Sequence, residues 1–279
     1  MTYLPQLLFL IALLAAGFLF WRRIKVIRAL ILLGKPALPN DQPAQRWKNL
    51  LLLGLGQKKM FRNVPVALMH LVIYAGFIII NLEVAEIVLD GVTGHHRLFL
   101  PLLGCWYPVF IIIFEVLALG VLLVCVLFLI RRNITRVKRL VHGDLAGWPA
   151  SDANYILLAE IVLMSLFLTM NAADQLIQTT GNSHYPSTGN FLISQWLMPL
   201  LSGGNEQSWM VLERACWWLH ILGIFAFLNY LPHSKHLHIV LAFPNAYYAP
   251  LETAGTFTNM ASVQQEVLYA MQPELAPTN

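Results

Sequence analysis

The chain has 279 residues, of which 58% are hydrophobic and only 11% are charged. With a mean hydropathy of +0.63, this balance excludes an ordinary soluble domain. The net charge of +4 comes from short basic runs beside apolar blocks, which orient a chain in a membrane and give no reason to expect a nucleic-acid partner.

The apolar residues come in long blocks rather than in alternation, so helices are predicted and not barrel strands. Five spans are expected, over residues 3–21, 64–89, 106–130, 153–178 and 209–231. Each is long enough to cross a hydrocarbon layer of ~30 Å. The first span has no basic residue before it, and Arg22, Arg23 and Lys25 follow it. It therefore reads as a retained signal anchor and not as a cleaved signal peptide. Residues 22–62 form a basic connection interrupted by Pro36, Pro39 and Pro43. A second basic connection, residues 131–150, ends in a turn at Gly147 to Pro149. Residues 179–208 are rich in Gly, Ser and Asn. Within them the stretch from Phe191 to Leu201 is apolar but too short to span, and is expected to lie in the membrane interface. The tail from Pro232 to Asn279 is less hydrophobic, carries Glu252, Glu266 and Glu274, and contains no span. No internal repeat is visible.

Placing the N-terminus outside puts every Lys and Arg except Arg97 and Arg214 on the opposite side. Positive charge marks the cytoplasmic face, so the C-terminus is expected inside. The expected fold is an all-α integral membrane protein, a five-transmembrane-helix bundle with the N-terminus outside. Residues 1–245 would form the membrane domain, and residues 246–279 a cytoplasmic tail or a junction to a partner. The expected location is a bacterial or archaeal cytoplasmic membrane. Cys105, Cys125 and Cys216 are isolated, with no CxxC among them, so this chain by itself holds no iron–sulfur cluster or structural zinc. Cys105 and Cys216 fall near the same face, where a disulfide is conceivable.

Of the nine histidines, His142 and His184 fall in loops and are expected to be solvated. His233 and His236 flank Lys235 at the edge of the last span, where interfacial side chains are common. His70 lies about two turns inside the second span, among Met69, Leu71 and Val72. His220 lies inside the fifth, after Trp217 and Trp218. A polar ring at such depth either bonds a neighbouring carbonyl or marks a functional site. His238 stands eighteen residues beyond His220. If the helix continues, that is five turns, and both rings share a face about 27 Å apart. Imidazole ligates haem iron, and two facing helices can supply an axial pair for haem b. No CxxCH is present, which rules out covalent attachment.

The run from His220 to Ile239, HILGIFAFLNYLPHSKHLHI, resembles the last helix of the membrane cytochrome b (gamma) subunit of respiratory nitrate reductases. The matching positions are His220, Gly223, Pro232, Ser234, Lys235 and His238. Met60-Phe61-Arg62 followed by His70 resembles the start of that family's second helix. Arg131-Arg132 through Arg136-Val137 resembles its basic loop. The related membrane domains of heterodisulfide-reductase-like iron–sulfur oxidoreductases share the pattern, and the run PHSKHLHI reads closer to them. The resemblance covers most of residues 1–245.

It implies one or two b haems, the cytoplasm-proximal one held by His70 and His238. A distal one would use His220 and a histidine farther along the second span, but Ile80 and Asn81 stand there. His95 and His96 are the nearby substitutes, with His96 the candidate. A third arrangement pairs His70 with His220 around a single haem, at depths about 8 Å apart. The resemblance also implies an oxidoreductase subunit that moves electrons between membrane quinone or menaquinone and a cytoplasmic iron–sulfur protein or subunit. Quinone chemistry moves protons with electrons, so titratable groups are needed near the site. Glu83 and Glu86, one turn apart, would line it with His96 and Arg97. Asp174 lies near the outer end of the fourth span, and Glu115 and Glu160 lie deeper. The competing reading is that these acids bond other helices. At the level of the whole chain the alternative is a haem-free membrane anchor for a soluble redox partner. A transporter is disfavoured, because neither a repeated half nor a pair of broken helices is visible.

Overall fold

The computed structural model describes residues 3–34, 41–58, 60–140, 143, 146–251, 255 and 260–275. Among them the α-helices are α1 (Leu4–Ile31), α2 (Pro43–Asn49), α3 (Val64–Thr93), α4 (Leu100–Leu103), α5 (Tyr107–Leu129), α6 (Trp148–Gln178), α7 (Met198–Leu201), α8 (Glu206–Tyr230), α9 (Leu237–Tyr247) and α10 (Ala261–Met271). The described residues contain no strand. Five helical stretches are long and apolar enough to cross a membrane: Leu4–Ile31, Val64–Thr93, Leu100–Ile134, Trp148–Gln178 and Glu206–His233. They coincide with the five predicted spans. The first runs ten residues past its predicted end, because nothing in WRRIKVIRALI breaks a helix.

The chain divides into two compact units, Met1–Pro36 with Gln57–Leu241, and Ala37–Gly56 with Ala242–Asn279. In the first unit the long helices form a ring in which α1, α3, α5, α6 and α8 each pack on the next, and α8 closes back on α1. The outer surface is apolar, and the apolar core encloses a set of polar groups. Leu7, Leu14, Phe18, Leu82, Leu123 and Leu219 face outward, whereas Glu83, Glu86, Asp90, Glu115, Asn171, Asp174, Glu213 and His220 are buried. A bundle in lipid sorts residues this way, since only its interior offers partners to polar groups. Phe9 of α1, 1% exposed, wedges between α3 and α8. Its ring stacks within 5.5 Å of Trp217 and 6.0 Å of Phe225. Gly91 of α3 makes room for it, because a Cβ there would lie 2.7 Å from the Phe9 ring.

Two local features depart from expectation. The apolar stretch from Phe191 does not lie wholly at the surface. Phe191 and Ser194 are fully buried, and the N–H of Ile193 bonds Glu115 at 2.8 Å, while Trp196 and Leu200 stay exposed. The five-turn register between His220 and His238 is also broken. The helix narrows to a 3₁₀ turn at Leu231–His233, Ser234 is extended (φ −112°, ψ 172°), and α9 starts afresh at Leu237.

The three cysteines are free thiols, Cys105 exposed and Cys216 buried, so the conceivable disulfide is not formed.

The second unit is organised by Arg46, which is 3% exposed. Its guanidinium donates to the backbone oxygens of Asp41, Tyr247 and Ala249 and to the Asp41 carboxylate, all within 3.2 Å. That bond holds the Asp41 carboxyl below its ordinary value. The Trp47 and Tyr247 rings meet edge to face at 5.4 Å.

Candidate functional site

The break after α8 is built by a carboxylate of another helix. Asp152 of α6, 2% exposed, accepts the Lys235 N–H at 2.9 Å and the Tyr230 hydroxyl. Lys235 Nζ donates to the Pro149 carbonyl at 2.7 Å, and Ser234 Oγ accepts the His236 N–H at 3.1 Å. The Pro-x-Ser-Lys segment is thus a fixed turn, and it sets two imidazoles. His238 Nδ1 lies 2.7 Å from the Lys235 carbonyl. A carbonyl only accepts, so Nδ1 carries the proton and Nε2 keeps its lone pair. The His236 ring meets that of His238 edge to face, with centroids 5.8 Å apart. Burial holds its pKa down to about 4, aided by His238 and His70. His70 of α3 lies within electrostatic reach of His236 and His238. Its Nδ1 is buried without a hydrogen-bond partner.

His220 lies separately, deeper in the bundle and 2% exposed. Its Nδ1 sits 3.0 Å from the Leu163 carbonyl of α6, which again leaves Nε2 as the lone-pair nitrogen. The close approach depends on Gly223, one turn on, where a Cβ would lie 2.8 Å from Leu163 Cδ2. The position on α3 that the resemblance would give to its partner is filled by Ile80, a core residue 8% exposed. Asn81 is turned to its own helix, bonding the Phe77 carbonyl.

The quinone-site candidates gather at the other end of the bundle, around Arg97. This residue adopts a left-handed backbone (φ 60°) in the loop after α3. Asp90 holds that loop by accepting the N–H groups of Arg97 (2.8 Å) and Leu98 (3.0 Å), and Glu86 accepts that of Phe99 (2.8 Å). The Arg97 side chain, 5% exposed, turns into the bundle. It donates to Asp174 at 2.7 Å and to Asn171 at 2.8 Å, and lies 3.6 Å from Glu83. Burial opposes its charge, but the Asp174 carboxylate beside it holds its pKa above the usual arginine range.

His96 belongs to this network, with Nε2 3.3 Å from Asp174 and its ring against Tyr185 at 4.6 Å. His95 is exposed. His184, also exposed, has its ring 5.7 Å from that of His96. His142 lies outside the described residues. Glu83, Glu86, Asp90, His96, Arg97, Met170, Glu213 and Trp217 line a cavity of about 10 Å³, room for a single water.

The predicted residues thus fall into three places: His70 with His238, His220 alone, and Glu83, Glu86, His96 and Arg97 together. Sequence reasoning missed Asp152, Tyr107, Glu213 and the tie of Glu115 to Ser194. Asp152 carried one signal, a carboxylate at the start of a predicted span. Among the described residues no three His, Cys, Asp or Glu side chains converge as for a bare metal ion.

Over 252 residues, or 89% of its length, the chain is 27% identical to a Bacillus subtilis (strain 168) protein described as a probable iron-sulfur-binding oxidoreductase, FadF. The match spans about 33% of that relative's own length. No protein-family profile matches the chain. No solved structure matches it.

Proposed function

We propose that this chain is the membrane-embedded electron-transfer part of a quinone-linked oxidoreductase. It would carry haem b and exchange electrons with a cytoplasmic iron–sulfur protein or domain. The observation that carries the reading is the state of three histidines, buried His220, half-buried His70 and exposed His238. His220 and His238 each have Nδ1 on a backbone carbonyl, the bond that orients a metal-ligating imidazole and leaves Nε2 free. His70 has a buried ring nitrogen with no partner, a cost that ligation would relieve. The relative's description as an iron-sulfur-binding oxidoreductase supports a redox role.

His70 and His238 would hold one haem, toward the cytoplasm if the N-terminus is outside. His220 would serve a second and would need a ligand from outside α3. A bound haem supplies reversible one-electron transfer. The chain's own residues supply the rest. Asp152 and Lys235 fix the His238 ring, and the Leu163 carbonyl fixes the His220 tautomer. At the far end Arg97, Glu83 and Glu86 would meet quinone or menaquinone, where oxidation of the quinol releases protons together with electrons. The three cysteines of this chain are isolated, so the iron–sulfur partner would supply the cluster ligands.

The test is a reduced-minus-oxidised visible spectrum with a pyridine haemochrome assay, on protein expressed with haem supply. We expect a haem b signal. Its absence would favour a haem-free membrane anchor.

A further inference from the structure

We infer that Glu83 is the proton-carrying group of the Arg97 cluster, an un-ionised carboxylic acid at neutral pH whose proton exchanges with solvent through the adjoining cavity and His96. The inference does not depend on haem or quinone. It rests on which carboxyl groups have hydrogen-bond donors and which has none.

Six buried carboxyl groups face this region: Glu83, Glu86 and Asp90 from α3, Glu115 from α5, Asp174 from α6 and Glu213 from α8. The fixed positive charges are Arg97 and Arg214, with His96 and His184 able to add to them. Full ionisation would leave the interior with a large negative excess, which a low-dielectric bundle does not tolerate. The group must therefore retain protons.

Donors decide where a proton stays, because hydrogen bonds accepted by a carboxylate stabilise its charged form. Glu86 accepts from the Phe99 N–H at 2.8 Å and the Tyr107 hydroxyl at 2.9 Å. Asp90 accepts two backbone N–H groups. Asp174 accepts from Arg97 and Gln178 and faces His96. Glu115 accepts from Ile193, Ser194 and Asn171. Glu213 accepts from the Tyr185 hydroxyl and from Arg214. Glu83, 2% exposed, accepts from none: both its oxygens are buried without a hydrogen-bond partner, and Arg97 Nη1 stands off at 3.6 Å. A proton on Glu83 relieves the charge excess at the smallest loss of hydrogen bonding.

A protonated carboxyl group is also a donor, and it needs an acceptor. The cavity that Glu83 lines holds about 10 Å³, enough for one water, and His96 lines it too. A water there would accept from Glu83 and reach the His96 ring, which lies beside exposed His184. A ligand oxygen entering the cavity would meet the same proton.

The experiment is infrared spectroscopy of the purified protein in H₂O and D₂O. A Glu160→Gln background keeps Glu160, which lies about 21 Å along α6 from Asp174, from adding a signal. We expect a C=O stretch of an un-ionised carboxyl group that moves down in D₂O. It should vanish in Glu83→Gln with little change in thermal stability. It should shift in Glu83→Asp, which keeps the acid but shortens it, and persist in Glu86→Gln. His96→Ala should slow the D₂O shift severalfold. A band untouched by both Glu83 variants, or no such band in the parent protein, would overturn the assignment. An exchange rate unchanged by His96→Ala would overturn the route.

Discussion

Asp152 of α6 and Lys235, the residue just after the break in the last span, are joined by a 2.9 Å hydrogen bond from the Lys235 N–H to the Asp152 carboxylate. The same carboxylate takes the Tyr230 hydroxyl, so the last turn of α8 and the segment beyond it hang on one buried acid. His238 is oriented by the carbonyl of that same Lys235. Asp152 thus positions an imidazole it does not touch.

The first prediction concerns this residue. Asp152→Ala leaves a hydroxyl and a backbone N–H without partners and should cost about 2–4 kcal/mol. Haem bound through His238 should be lost with it. Tyr230→Phe removes one of the two bonds and should be milder on both counts. Thermal unfolding and the haem-to-protein ratio are the readouts. An unchanged haem ratio in Asp152→Ala would remove its positioning role.

His70 and His238 should behave as one site. His70→Ala and His238→Ala are each expected to remove the same haem, visible as loss of the same component of the difference spectrum. His142→Ala and His184→Ala should leave haem content unchanged. Survival of the full haem complement without His70 would show that the pairing is wrong.

At the second histidine site the structure alters the expectation for His96. That ring is held 3.3 Å from Asp174 in the ionic network. His96→Ala should therefore leave haem content unchanged and lower stability by about 1–3 kcal/mol. His220→Ala should abolish any second haem. If haem stoichiometry near two drops by one in His96→Ala, His96 is a ligand after all.

Arg97 is the cation on which the buried acids converge. Arg97→Leu strips Asp174 and Asn171 of their donor and should destabilise the bundle by about 3–5 kcal/mol. Adding Asp174→Leu to Arg97→Leu should restore part of that loss, since the uncompensated charge goes with it. Unfolding in detergent followed by intrinsic fluorescence measures both. A double variant worse than the sum of the two single variants would show that the pair contributes packing more than charge.

The five spans were legible in the sequence because a helix in lipid must satisfy its own backbone, and a long apolar block has no other stable form there. The depth of His70 and His220 was legible for the same reason, since position along a helix fixes position along its axis. The partners of the polar groups were not. The break in the last span is shaped by Asp152 on another helix, 83 residues from the Lys235 N–H that it accepts. The sequence placed Arg97 with Glu83 and Glu86, but not its main partner Asp174, which lies 77 residues away on α6. His96, the substitute ligand that the sequence offered, lies 3.3 Å from that same Asp174, a contact no local pattern announces. Periodicity is a local property of the chain, whereas the pairing of buried charges is set by which helices are neighbours and in what register. The sequence by itself therefore determined the elements and the candidate imidazoles. Only the tertiary structure decided that Asp152 holds the turn that orients His238, and that Glu83 is left without a donor.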